Sequence, residues 1–391
     1  MSNILCRARR AWPAAILGLL AACADAPPRA PSPPAVKPPA SAPAPSTPAA
    51  ASIATILQPQ SRWVGVPWSE LPGWEQDRSS ELWPALLRGC ERPAAGWATL
   101  CAQARGAPST PGWNDEAARQ WLTQRLQAYR VESLDGAAEG LVTGYYEPLV
   151  EASRRPQGNF RVALYGPPAD LAKRKPYWTR QQIDTLSAAQ ASLRGRELAF
   201  VADPLDALIL QIQGSGRVRV TEPDGSARLI RVAYAGDNDL PYKSVGRWLI
   251  EQGELRADQA SWPAIKSWAK QNPKRINEML WSNPRFVFFR EEPLPDAQLG
   301  PKGAQGVALT PGRSIAVDPL SIPYGTPVWL AATEPLSNTL LRRSVMAQDT
   351  GSAIVGAVRA DYFWGWGADA EAQAGRMKQA LRLWVLWPKG P

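Results

Sequence analysis

The chain has 391 residues, 45% of them hydrophobic, with a net charge of +9 and no histidine. That length buries a sizeable core and accommodates two domains. The missing imidazole excludes a Ser-His-Asp or Cys-His nucleophile, a His-ligated zinc and a histidine general base, so carboxylates must carry proton transfer in any enzyme built from this sequence.

The first ten residues hold Arg7, Arg9 and Arg10, and an apolar stretch from Ala11 to Ala22 follows that is too short to span a bilayer as a stable helix. Residues 1–22 therefore read as a signal segment. Its end, Leu20-Ala21-Ala22-Cys23, resembles a bacterial lipobox, in which Cys23 is lipidated and becomes the first residue of the mature chain. Ala24 rather than aspartate follows the cysteine, which resembles sorting to the outer membrane of a Gram-negative bacterium. Residues 23–51 are then nearly all Pro, Ala and Ser, a semi-extended tether. With Cys6 removed and Cys23 acylated, Cys90 and Cys101 are left as a pair for a disulfide in an oxidising compartment, two buried free thiols being the alternative.

Beyond the tether the pattern turns helical. Leu82, Trp83, Leu86 and Leu87 share one face of a helix over 79–88, and Asn114 opens a second that buries Ala118, Trp121, Leu122 and Leu126. From Leu141 the period changes to strands broken by Pro and Gly, including a strand through Leu208–Gln213 whose alternation puts Gln211 and Gln213 on one face. Gly214, Ser215 and Gly216 follow immediately and let backbone approach a ligand, so the two glutamines and these three residues are candidate groove-lining positions. Helices return over 242–253 and 261–272, and a strand-rich tail begins at Arg285.

The tail carries the chemistry. Asp318 (AVDP), Asp349 (AQDTG) and Asp361 (RADYFWG) each follow a short apolar run, two of them just before residues that turn the chain. An Asp-Thr-Gly segment readily folds into an Asx turn in which backbone N–H groups lower the carboxyl pKa, which suits Asp349 to holding charge. Tyr145, Tyr146 and Glu147 offer a stacking face and hydroxyls at a strand end, and Trp364 follows Asp361 closely enough to stack on a pyranose.

As an ordered set, GYYEP (Gly144–Pro148), IQGSG (Ile212–Gly216), NPRFVFFRE (Asn283–Glu291) and the three aspartates resemble the membrane-bound lytic murein transglycosylase A family, over roughly Gly144 to Pro388. The resemblance implies a mainly β fold with flanking helices: a discontinuous double-psi β-barrel domain from 52–150 and 276–391, a second β domain inserted over 151–275, and a groove between them. It implies a peptidoglycan lytic exotransglycosylase that cleaves the MurNAc-β-1,4-GlcNAc bond without water and leaves 1,6-anhydro ends, with Asp361 as single acid/base, Asp349 beside it and Asp318 in support. No cofactor and no metal are expected. The partners expected are glycan strands, the outer membrane reached through the lipid, and complexes of wall synthesis or division. The net positive charge suits the stem-peptide carboxylates of such a wall, whereas no zinc-finger spacing, RNP-like segment or basic helix points to nucleic acid. A two-carboxylate muramidase and a non-catalytic wall-binding lipoprotein are the alternatives. Two departures from the family pattern are Asn238-Asp239, where Asn-Gly is common, and Ala380, where a glycine is common; the first predicts a looser loop.

Overall fold

The computed structural model describes residues 54–294 and 296–389; the expected signal segment, Cys23 and the tether lie outside them. The chain lays down β1 (Ile56–Leu57), β2 (Arg62–Gly65), β3 (Leu126–Glu132) and β4 (Gly140–Glu147) in a first sheet. It then builds a second sheet from β5 (Leu149–Ser153), β6 (Val162–Tyr165), β7 (Glu197–Val201), β8 (Ser215–Thr221), β9 (Ala227–Asp237) and β10 (Val287–Pro293). It returns to the first with β11 (Ser314–Val317), β12 (Thr326–Thr333), β13 (Leu340–Asp349), β14 (Arg359–Trp366) and β15 (Lys378–Pro388).

The first sheet runs β1-β2-β3-β15-β12-β13-β11-β14-β4, and β15 also pairs with β4, so six strands close into a ring. Closure depends on the length of β15. Its first residues, Lys378–Leu381, lie against β4, and Arg382–Val385 lie against β12. Two pairs in the ring, β11–β13 and β14–β4, are parallel, and the other four are antiparallel. A ring without free edges is the barrel the sequence implies. Its interior is filled by Val142, Ile315, Val328, Leu330, Val345 and Leu383, all without exposure.

The second sheet, in order β10-β9-β8-β5-β7-β6, lies in sequence wholly between two strands of the ring. It starts within two residues of the expected boundary but extends past 275, because β10 pairs with β9 from Val287 to Pro293. Helix α9 (Ile276–Ser282) also packs its Met279 and Leu280 into a core shared with Leu205, Val245 and Ile265 of this inserted body.

Three helices cover the barrel. Trp83 and Leu86 of α1 (Trp83–Gly89), Cys101 of α2 (Ala98–Gly106) and Trp121 and Leu122 of α3 (Asp115–Arg125) share one core with Trp329 and Trp384. Asn114 caps α3, its side-chain oxygen accepting the Ala117 N–H at 2.9 Å. Leu126 is buried, as its spacing requires, but as the first residue of β3. Cys90 and Cys101 are joined in a disulfide, their Cα atoms 5.3 Å apart.

The strand expected through Gln213 is a helix. The inserted body places α4 (Arg180–Thr185) and α5 (Ser187–Leu193) before β7, and α6 spans Pro204–Gln213. Leu208-Ile-Leu-Gln-Ile-Gln is apolar nearly all round, so alternation cannot separate a strand from a buried helix. The ends decide it: Asp203 accepts the Leu205 N–H at 2.8 Å, Pro204 takes the first helical position, and Gly214 closes the helix at φ 75°. The departure at Asn238-Asp239 does not loosen its loop either. Asp239 adopts φ 60° itself, and Asp237 accepts its N–H at 2.7 Å.

Barrel and inserted body are joined through one buried charge cluster. Glu147, at the end of β4 and fully buried, bonds Arg217 of β8 at 2.8 Å and Arg231 of β9 at 2.5 Å. Both arginines also donate to the carbonyl of Leu299, on the segment returning to the barrel. Removing the carboxylate would leave two guanidinium groups buried without a counter-charge. Glu147→Gln is therefore expected to lose about 3–5 kcal/mol of unfolding free energy, read from the urea midpoint; a loss below about 1 kcal/mol would contradict the clamp.

Candidate active site

Alternation along β4 sends Thr143, Tyr145 and Glu147 to one face. Across the barrel wall, Ala316 of β11 is in register with Asp361 of β14 on one side and Asp349 of β13 on the other, and Asp361 is in register with Thr143. A bulge between β11 and β13 skips Gln348 and brings Asp349 into this row. Two strand spacings, about 10 Å between backbones, separate the aspartates. Each is held by a β4 side chain: the Thr143 hydroxyl donates to Asp361 Oδ1 at 2.7 Å, and the Tyr145 hydroxyl to Asp349 Oδ2 at 3.0 Å.

Their electrostatics differ. Burial pushes the Asp361 carboxyl up to about 6; the Thr143 hydrogen bond and the Arg359 charge pull the other way, and the Asp349 charge adds to the rise. Arg359 reaches Thr143 Oγ1 at 2.9 Å, one hydrogen bond behind Asp361. The Asp349 carboxyl is also raised by burial, although it accepts N–H groups from Thr350 and Ala304 and the Tyr145 hydroxyl. Backbone N–H groups do reach the Asp349 carboxyl, one from the adjacent Thr350 and one from the distant Ala304, but desolvation outweighs these hydrogen bonds and reverses the expected direction.

A cavity of about 200 Å³ opens between barrel and inserted body at Asp361. Thr143, Arg359, Asp361 and residues 351–354 line it from the barrel; Arg180, Gln211, Tyr242, Asn283 and Arg285 line it from the inserted body. Asp361 is the only carboxylate among the lining residues. Asp349 is not among the lining residues, although the loop that follows it, 351–354, is. Among the described residues no cluster of three or more His, Cys, Asp or Glu could hold a metal ion.

The other sequence candidates are placed as follows. Asp318 accepts the N–H groups of Leu320 and Gly356 at 2.9 and 2.8 Å, tying the end of β11 to the loop before β14, and does not line the cavity. Gln211 reaches the cavity and accepts a bond from Arg180. Gln213, two residues on and so turned to another side of the helix, accepts the Tyr146 N–H at 3.1 Å. Tyr146 packs against Ile209, Ala370 and Ala374, and Glu147 is the clamp already described. Gly214 is the helix cap, and Ser215 and Gly216 begin β8. A Cβ on Gly216 would fall 2.0 Å from Leu210 Cδ2, so that glycine answers to packing. Trp364 lies against Tyr362 with ring centroids 4.9 Å apart and directs its N–H to the Met377 sulfur, also away from the cavity.

Thr143, Arg180, Tyr242, Asn283, Arg285 and Arg359 were not among the candidates read from the sequence. For Thr143 a signal existed: it precedes Tyr145 by two and shares its face. Arg359 likewise lies two residues before Asp361 on β14. The other four come from three segments of the inserted body, around Arg180, around Tyr242 and at the start of the Asn283–Glu291 stretch, which no local pattern brings together.

Residues 141–290 match the family description "MltA specific insert domain", and residues 313–387 match "3D domain". The chain is 34% identical over 269 residues to membrane-bound lytic murein transglycosylase A of Vibrio cholerae, covering 67% of this chain and 69% of that relative. Among solved structures, the lytic transglycosylase LtgG of Burkholderia pseudomallei is 44% identical with a TM-score of 0.60, over 88% of this chain and 99% of that one. Escherichia coli MltA with bound chitohexaose is 27% identical with a TM-score of 0.65, over 87% and 95%. A closed β ring, a second sheet inserted after GYYEP and an aspartate at the cleft between them thus occur together with these likenesses, and the chain belongs to the membrane-bound lytic murein transglycosylase A family, enzymes that cleave peptidoglycan.

Proposed function

We propose that this chain cleaves the MurNAc-β-1,4-GlcNAc bond with Asp361 as its one acid/base. The reading is supported above all by a single carboxylate lining the cavity, held at a pKa of about 6. The Asp361 carboxyl gives its proton to the bridging oxygen as the C1–O bond breaks, and the GlcNAc side leaves with its 4-hydroxyl. The C6 hydroxyl of the same muramic ring then attacks C1, Asp361 takes back the hydroxyl proton, and a 1,6-anhydro ring forms. Attack within one sugar replaces a bimolecular step by an intramolecular one, so no second carboxylate has to activate water. Asp349, two strand positions away on β13, tunes Asp361 through its charge and offsets positive charge building on the sugar ring. Asp318 supports the site by fixing the loop before β14.

A hydrolase using Asp349 and Asp361 as a pair would need both carboxylates at the glycosidic bond, and Asp349 is absent from the lining. The relative in Vibrio cholerae is named membrane-bound, and no helix among the described residues is long and apolar enough to cross a membrane. We infer that Cys23 carries the lipid that tethers the enzyme to the periplasmic face of the outer membrane. Cys23→Ala is expected to leave the membrane fraction or to fail in maturation; complete sedimentation with outer membranes after a high-salt wash would refute the anchor.

Asp361→Asn keeps the shape of the side chain and removes the transferable proton. Turnover of purified sacculi should fall by on the order of 10² to 10⁴, with anhydro-muropeptides lost in mass spectra. Asp349→Asn should cost less, and the double variant less than the product of the two. Near-normal turnover by folded Asp361→Asn protein would end the assignment, and reducing ends in the wild-type digest would turn it to hydrolysis.

The same shift predicts a stability effect. A carboxyl whose folded pKa is raised favours the fold when protonated, and that contribution is lost as pH rises through the folded value. Asp361→Asn should therefore unfold at a higher temperature than wild type near pH 7.5. The gap should close as pH falls through about 6 toward 3.8, the ordinary aspartate value. Equal melting temperatures at both ends of that window would show that Asp361 is not strained by burial.

A further inference from the structure

The wall of the cavity facing Asp361 holds a cation that the proton-transfer scheme does not use. Arg180 is only 5% exposed, and no carboxylate lies within ion-pair distance of it among the described residues. Its Nε donates to the Asn283 carbonyl at 3.2 Å, and its Nη2 to the Arg285 carbonyl at 2.8 Å and to Gln211 Oε1. All three acceptors are neutral. The carboxylate that acts on it electrostatically, Asp184, accepts the Trp281 indole N–H at 2.8 Å instead of pairing with it. Arg180 Nη1 has no hydrogen-bond partner among the described residues and is not sealed from solvent. Burial lowers the Arg180 pKa to about 10, so it stays charged at neutral pH.

A guanidinium buried against neutral oxygens alone is costly, and a fork held by three fixed acceptors presents its remaining N–H groups in one direction. The surrounding lining strengthens the same sign: three arginines, Arg180, Arg285 and Arg359, face one aspartate. Arg285 is neutralised by Asp237 at 2.6 Å, and Arg359 serves Thr143 beside Asp361. Arg180 is left as the unneutralised cation of the inserted wall.

Building on the proposed function, we propose that Arg180 binds a carboxylate of the glycan strand, so that the cleft selects carboxylate-bearing muramic acid strands over neutral β-1,4-linked N-acetylglucosamine. Two sources carry that chemistry: the lactyl carboxylate of a strand stripped of peptide, and a carboxylate of the stem peptide. Arg180 then determines specificity and takes no part in proton transfer.

The test compares wild type, Arg180→Met and Arg180→Lys. KM and kcat are measured for peptide-free and for peptide-bearing GlcNAc-MurNAc strands, and Ki for chitohexaose as the neutral probe. Arg180→Met should raise KM about tenfold, the size expected for one charge-assisted hydrogen bond, for whichever strand type carries the bound carboxylate. The chitohexaose Ki should not move, and Arg180→Lys should recover part of the loss. An effect on peptide-free strands alone identifies the lactyl group, and an effect on peptide-bearing strands alone identifies the stem. An unchanged KM, or equal changes in KM and Ki, overturns the inference. Should Arg180→Met not fold, the wild-type enzyme still decides: KM for carboxylated strands must rise with salt while the chitohexaose Ki stays constant, and parallel behaviour refutes the proposal. Formation of anhydro ends is scored in every reaction. Their absence with wild type strikes at the proposed function, whereas their presence with a failed KM prediction strikes at Arg180 alone.

Discussion

Strand β4 sets the geometry on which the site depends. Its Glu147 is a fully buried carboxylate clamped between two arginines of the inserted sheet. Two and four residues earlier on the same face, Tyr145 and Thr143 hold Asp349 and Asp361. Since side chains on one strand face stand about 7 Å apart along the strand, one element fixes both the joint between the two bodies and the position of the aspartates. A buried ion cluster of this kind contributes little net stability, because desolvation offsets most of the attraction. Its effect is to define one arrangement, since displacing the inserted body would strand three charges in the interior.

That arrangement gives the cleft its chemistry. The barrel supplies the Asp361 carboxyl, and the inserted body supplies a wall of arginines, amides and Tyr242. Between them water is partly excluded, and desolvation becomes the dominant influence on both aspartates. At Asp361 it opposes one hydroxyl hydrogen bond and one guanidinium, and it prevails. At Asp349 it prevails even over two backbone N–H groups and a phenol. Hydrogen bonds to a carboxylate are worth roughly 1.5–3 kcal/mol each, burying the charge costs several kcal/mol, and at both aspartates the direction follows burial.

The inserted sheet also explains why residues far apart in sequence serve one cavity. Because it leaves after β4 and returns before β11, its two ends lie next to the barrel strands that carry Thr143 and the aspartates. Asn283 and Arg285, just before its last strand, are thereby brought opposite Asp361, and α4 and α6 add Arg180 and Gln211.

The sequence by itself determined the chemistry class, the fold family and most of the elements. A chain without histidine leaves proton transfer to carboxylates; Asp318 directly follows β11 and Asp349 ends β13, as their neighbours indicate, whereas Asp361 lies inside β14. Local rules also located α3 from its Asn114 cap and, within the expected 242–253, the helix Val245–Glu251. They failed where two periods fit equally well, as over Leu208–Gln213, since an apolar run buried on every side carries no periodic signal. Only the tertiary structure decided which candidates face the cleft. Glu147, Tyr146, Gln213 and Trp364 are polar or aromatic residues within the family's motifs, yet their partners are other parts of the protein. Arg180, which no motif marks, and Arg359, which was not read as a site residue, reach the cavity. Burial, and with it the pKa of a carboxyl and the cost of an unpaired guanidinium, is a property of contacts between distant segments, and short-range sequence patterns do not encode it.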